Sequence, residues 1–212
     1  MKNLFSLMII FISCFHSLTA QQQFETGMKK AFELWSSGES QEAANLFERI
    51  ANAEGDNWLP YYYTAQIKII ESFDMKDLAK KEKTLEIAQN HLNTAMSLSE
   101  QENVEIMILQ AMLHTSYITL DPSVYGMKLS GKVSSIYKNA LEIAPENPRV
   151  VLSNAEWEMG SARFFGEDPK KYCTDIERSL QLFSKFKSAG AFYPSWGEDR
   201  AKLILQNNCK DQ

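Results

Sequence analysis

The sequence predicts an all-α protein, a right-handed stack of about four helical hairpins closed by a C-terminal capping helix. Three observations point there. Apolar residues recur three and four apart in segment after segment, the period of an amphipathic helix. The segments end at Pro or Gly signals rather than running on. The second segment of each pair also returns at a regular distance. Ala43, Ala88 and Val133 stand 45 residues apart, and Tyr172 follows 39 residues later. Self-similarity at such a period is the mark of stacked repeats, each burying its apolar face on its neighbours.

The first hairpin is expected over about 24–53. Phe24, Met28, Ala31, Phe32 and Trp35 share one face before Ser37-Gly38, and Ala43, Phe47 and Ile50 continue the pattern. The second, about 58–98, opens with Pro60 in a first turn and a broad stripe of Tyr61, Tyr62, Ala65, Ile69 and Ile70. A Lys-rich stretch, Asp74–Lys83, then lengthens the connection or extends the next helix as a solvated face, and Ala88, Leu92 and Ala95 follow. The third, about 104–144, carries Val104, Met107, Leu109, Ala111, Met112 and Tyr117 up to Asp121-Pro122. A loop holding Pro122, Gly126 and Gly131 is expected to lead into a helix from Val133, with Tyr137 and Ala140 on its buried face and Pro145 and Pro148 at its end. The fourth, about 148–188, pairs Val151, Leu152, Ala155 and Met159 with Tyr172, Ile176, Ser179, Leu180 and Phe183 across the turn Phe164–Pro169. Ser195-x-x-Glu198 reads as a capping box that starts the closing helix, 195–207.

Two stretches carry a family resemblance. Gly38-x4-Ala43-x3-Phe47, and Ala140-Leu141 followed by Ala144-Pro145 and Asn147-Pro148, resemble tetratricopeptide-repeat proteins. The resemblance implies helical hairpins whose first helices line a groove that holds a peptide or partner helix. From Asn147 to Cys209, the motifs Asn147-Pro148-Arg149, Phe165-Gly166, Leu182-Phe183 and Pro194-x-Trp196-Gly197 before Cys209 also resemble uncharacterised secreted repeat proteins of Gram-negative envelopes. Glu167 departs from that pattern, where a second Gly is usual. The resemblance implies an envelope location and lends no activity.

Residues 1–20 have the parts of a secretory signal peptide. Lys2 supplies the positive start, Leu4–Phe15 an apolar run too short to span a bilayer as a helix, and Ala20 a small residue before Gln21. The expected location is periplasmic or secreted. Membrane attachment would follow only from lipidation of Cys14, the alternative reading of the same segment. Without residues 1–20 the chain has 21 Lys and Arg against 27 Asp and Glu. An acidic chain without a basic stripe is a poor holder of phosphate backbones, so nucleic acid is not expected as a partner. Cleavage leaves Cys173 and Cys209, which in an oxidising compartment either pair or remain two thiols at element ends.

No pattern of catalytic residues stands out. His91 and His114 lack the spaced ligands of a zinc site, and Glu156, Glu158, Glu167 and Asp168 near Arg163 read as salt-bridged helix ends. There is no Gly-x-Ser-x-Gly and no phosphate-cradling glycine loop. No enzyme activity, cofactor or metal is expected. The expected role is a non-catalytic interaction or assembly module for a protein or peptide, self-association being a further possibility. Anchors for a partner are sought beside the small residues Ala31, Ala65 and Ala111: Phe32, Trp35, Tyr62, Gln66, Ile108 and Met112. The alternative is a small-ligand binder or enzyme with its site in the groove near His91, His114 and Tyr62.

Overall fold

The computed structural model describes residues 21–99 and 102–209, and the signal peptide and Cys14 lie outside them. All regular structure among the described residues is helical. In chain order α1 covers residues 21–36, α2 Ser40–Ala53, α3 Trp58–Asp74, α4 Leu78–Leu98, α5 Val104–Leu120, α6 Pro122–Ile143, α7 Pro148–Phe165, α8 Cys173–Phe183 and α9 Glu198–Ile204. A 3₁₀ turn, Pro169–Tyr172, precedes α8, and a π turn, Leu205–Cys209, follows α9.

Successive helices pack as neighbours, and α3 also touches α5, as α5 touches α7. The second helix of each pair buries the residues its period selects. Ala43 and Phe47 of α2, Ala88, Leu92 and Ala95 of α4, and Val133 and Ala140 of α6 are all fully buried, as is Ile176 of α8. Between hairpins, Ser72 and Ser116 share a 2.7 Å hydrogen bond and Lys81 donates to Thr119 at 2.9 Å, fixing α3 and α4 against the C-terminal end of α5. Cys173 and Cys209 are joined by a disulfide that ties the chain's end to the start of α8. Closing a loop of that length contributes about 3–4 kcal/mol on the chain-entropy model.

Two expectations are corrected. The stretch from Pro122 is no loop, because α6 runs unbroken to Ile143. Asp121 accepts from the Ser123 and Val124 amides and Pro122 takes a first-turn position, so the helix starts well before Gly126 and Gly131 and carries both glycines through it. At the other end, Ser195 does not cap the last helix. Gly197 does, with φ 113°, where a Cβ would stand 2.8 Å from Phe183 Cζ. Helix formation waits because the preceding residues are committed elsewhere.

That commitment is a strap. Residues 184–197 leave α8 without regular helical structure and cross the face made by α1, α3, α5 and α7. Phe192 lies edge-on to Phe24 and stacks near Phe32, and its carbonyl accepts from the Tyr63 hydroxyl at 2.7 Å. Trp196 donates its indole N–H to the Tyr62 hydroxyl at 2.8 Å. The groove that the first helices would present to a partner is thus covered, over α1 and α3, by the chain's own C-terminal segment.

Candidate functional site

A broad concavity lies where the hairpins turn into one another. It is a cleft of about 930 Å³. Its rim comes from the α2–α3, α4–α5 and α6–α7 turns, and the strap supplies Phe186, Lys187, Ala189 and Tyr193. Phe24 of α1 and Trp58 of α3 complete an aromatic wall, with Trp58 edge-on to Tyr193 at 5.4 Å.

Three helices aim their N-termini at this cleft, and each is capped by the same residue. The side-chain oxygens of Asn57, Asn103 and Asn147 accept from the amides of Leu59, Glu105 and Arg149 at 3.0, 3.0 and 2.9 Å. Asparagine suits this position because its short side chain reaches the otherwise unpaired first-turn amides. The C-terminal ends of α2, α4 and α6 meet the same cleft at Glu54, Ser99 and Ala144, so the backbone offers it first-turn amide donors without a net positive potential.

Beneath the turns sits a buried ion pair. Arg149 donates through Nε and one terminal nitrogen to the two oxygens of Glu105, both at 2.7 Å, and Asn147 adds a third donor to Glu105 at 2.7 Å. Arg149 is fully buried and Glu105 nearly so. The Phe186 ring covers the guanidinium at 4.4 Å. The second terminal nitrogen of Arg149 has no hydrogen-bond partner within the protein. Such a group is costly to leave unmade and is a donor in waiting. Behind the pair, burial first and the Glu105 carboxylate second push the phenols of Tyr62 and Tyr63 well up, so both stay neutral hydrogen-bonding groups. Asp56 and Glu102 are exposed at the rim, and Lys187 is the exposed cation there.

None of the six anchor positions read from sequence lines this cleft. Tyr62, Gln66 and Ile108 are buried and present no surface to a partner. Phe32, Trp35 and Met112 are half-buried, with Phe32 and Trp35 in ring contact with Tyr63. His91 faces Glu48 and Tyr61, and His114 faces Gln110, while the Tyr62 hydroxyl turns to Trp196, so the three make no common site. Among the described residues no group of three His, Cys, Asp or Glu is placed to hold a metal ion. The carboxylates near Arg163 serve structure. Glu156 pairs with Arg200, Glu158 accepts from Tyr172, Glu167 pairs with Lys171, and Asp168 caps the 3₁₀ turn through Lys170 N. Cleft residues missed by sequence reasoning did leave a trace there. Asn57, Asn103 and Asn147 recur 46 and 44 residues apart, each directly before an aromatic, aliphatic or proline helix start.

No family model and no curated protein matches the chain. Among solved structures it is similar to the HusA haemophore from Porphyromonas gingivalis, with 28% sequence identity and a TM-score of 0.73, over 86% of this chain and 90% of that one.

Proposed function

We propose that this chain is an exported, non-catalytic binding protein that takes a flat, largely apolar ligand bearing carboxylates, of the haem class, in the cleft between Trp58, Phe186 and Tyr193. The observation that carries the reading is the cleft itself. Its volume lies in the range of small-molecule sites, roughly 300–1,000 Å³. Its aromatic wall suits ring stacking, and the helix N-termini suit carboxylates. Likeness to a haemophore along most of both chains supports the same ligand class. Glu54, Asp56 and Glu102 at the rim oppose ligand carboxylates, so the donors that would receive them are Lys187, the second terminal nitrogen of Arg149 and the first-turn amides. The lining holds neither His nor Met, and Tyr193 is its one side chain of a kind that ligates haem iron, so recognition is assigned first to ring faces and carboxylates.

Within this reading the hairpins form a tetratricopeptide-like stack whose hairpin ends carry the ligand. A peptide or partner helix on the first-helix face would first have to displace the strap, so the cleft is the better-supported site.

The test is titration of the purified protein with haem and with metal-free protoporphyrin, followed by Trp fluorescence and by Soret absorbance. The expected result is saturable binding of both with similar affinity, weakened about tenfold or more by Trp58→Ala and by Tyr193→Ala. Absence of saturable binding, or binding indifferent to both substitutions, would refute the assignment.

A further inference from the structure

The edge of the stack opposite the cleft carries a different feature. At the tips of three successive hairpins, large apolar side chains stand in solvent: Phe73 and Leu78 between α3 and α4, Val124 and Met127 at the start of α6, Phe164 and Phe165 at the end of α7. Met127 is 93% exposed, Phe164 80% and Phe165 73%. Isolated exposed apolar residues need no explanation, but a row of them at one edge does.

The tips are neighbours in space. Ser72 bonds Ser116, Lys81 bonds Thr119, and the Tyr125 hydroxyl reaches Glu82 at 3.5 Å, which sets the second and third tips side by side. Trp157 of α7 donates to Ser134 of α6 at 2.9 Å. From that bond, α6 back to Met127 and α7 on to Phe164 are each seven residues, so both residues lie about 10 Å further toward the same end of the molecule.

Charge divides along the same line. Residues 73–83, 121–132 and 163–172 hold nine Lys and Arg against six Asp and Glu, whereas the rest of residues 21–212 holds twelve against twenty-one. Without the buried Lys81 these segments still hold eight against six, so the apolar tips sit on a mildly basic edge of an acidic protein.

We infer that this edge docks on an anionic lipid surface, with Met127, Phe164 and Phe165 entering the headgroup region and the flanking lysines meeting the phosphates. Discrete side chains on separate convex tips match a fluid interface, which closes around each wedge. They make no continuous apolar core of the kind a protein interface packs. The basic edge supplies attraction to anionic lipid and orients the acidic body outward. No described helix is long and apolar enough to cross a membrane, which fits surface docking. Lys81 is buried against Thr119 and takes no part.

The experiment is co-sedimentation of the purified, ligand-free protein with vesicles of phosphatidylglycerol and phosphatidylethanolamine, or of phosphatidylcholine alone. Being free of haem, it stands apart from the cleft assignment. The expected result is partition onto the anionic vesicles only, lost as salt rises. A Met127→Ser/Phe164→Ser/Phe165→Ser variant should partition about tenfold less, and a Lys76→Gln/Lys80→Gln/Lys128→Gln variant should lose most of the preference for anionic lipid. Lack of partition by the wild-type protein overturns the inference, whatever the variants do. So does equal partition onto both vesicles, or a folded triple-Ser variant that binds like wild type. Capture of one envelope protein through the same tips, without vesicle binding, would make the edge a protein-docking surface and would also overturn it.

Discussion

The Trp196 indole N–H and the Tyr62 hydroxyl, 134 residues apart in sequence, meet at 2.8 Å and pin the C-terminal strap to the third helix. Tyr62 is fully buried beside Trp58 and Tyr63, so its hydroxyl has no water to turn to if the indole leaves.

Trp196→Phe keeps the ring in place and removes the donor. The expected cost is about 1–3 kcal/mol, the price of leaving a buried hydroxyl oxygen without its donor. Tyr62→Phe in the Trp196→Phe background should recover part of that loss, since two apolar rings then face each other. Urea unfolding of the two single variants and the double variant reads the coupling. Strictly additive losses would mean that the contact does not hold the strap.

Glu105 and Arg149 make the second long-range tie, and here the two partners are not interchangeable in effect. Glu105→Gln leaves a buried guanidinium without its counter-charge, and about 3–5 kcal/mol of stability should be lost. Replacing both, Glu105→Leu with Arg149→Met, should restore most of it, because a packed apolar pair avoids the desolvation of two charges. If Arg149 also serves ligand carboxylates, that double variant should unfold near the wild-type urea concentration yet bind porphyrin more weakly.

The contrast between these ties and the hairpins explains what could be read from sequence. Ala43, Phe47, Ala88, Leu92, Val133 and Ala140 are buried at the positions their spacing selects, because a helix's apolar stripe is a local property of three- and four-residue steps. The strap has no period. Its place depends on Phe192 meeting Phe24, Phe32 and Tyr63, contacts across more than a hundred residues that leave no local pattern. The burial of some anchor positions has the same origin. Tyr62 and Ile108 sit on the face that would have been open had the chain ended at α8, and the strap together with neighbouring hairpins closes over them. The early start of α6 shows the converse error. Gly126 and Gly131 favoured a loop by propensity, roughly 1 kcal/mol each against alanine, and the Asp121 cap with Pro122 behind it outweighed them.

Stability should depend on pH through His91 and His114. Burial first holds both imidazoles below the usual 6.5, with Lys68 adding to the effect at His91 and Lys132 at His114, while Glu48 opposes it at His91. Above about pH 7.5 both rings are neutral whether the chain is folded or not, and they contribute no pH dependence. As pH falls through about 6.5 the unfolded chain takes up protons that the native state resists, so stability drops and then levels off below the folded pKa values. Glu156 works in the opposite sense at lower pH, since burial raises its carboxyl above the ordinary 4.5 despite Arg200. Urea midpoints should therefore fall from about pH 7.5 to about pH 5.5, and His91→Gln with His114→Gln should flatten the fall. An unchanged slope in that variant would place the titration elsewhere.

Phe192 holds a left-handed backbone, φ 61°, the one non-glycine residue among those described to do so. Glycine there would relieve conformational strain of about 1–2 kcal/mol. It would also remove a ring that meets Phe24 at 5.9 Å and Phe32 at 6.1 Å, and a half-buried aromatic of that kind contributes about 2–3 kcal/mol. The ring outweighs the strain, so Phe192→Gly should destabilise by about 1 kcal/mol, while Phe192→Ala, which keeps the strain and loses the ring, should cost more. The order Ala below Gly below wild type in urea midpoint is the readout. Phe192→Gly more stable than wild type would mean that the ring adds little and that the strap is held by the Tyr63 hydrogen bond to the backbone instead. Loosening the strap should also reach the cleft, because Phe186 and Tyr193 belong to the same segment. Porphyrin affinity should then fall in Phe192→Ala although residue 192 does not line the site.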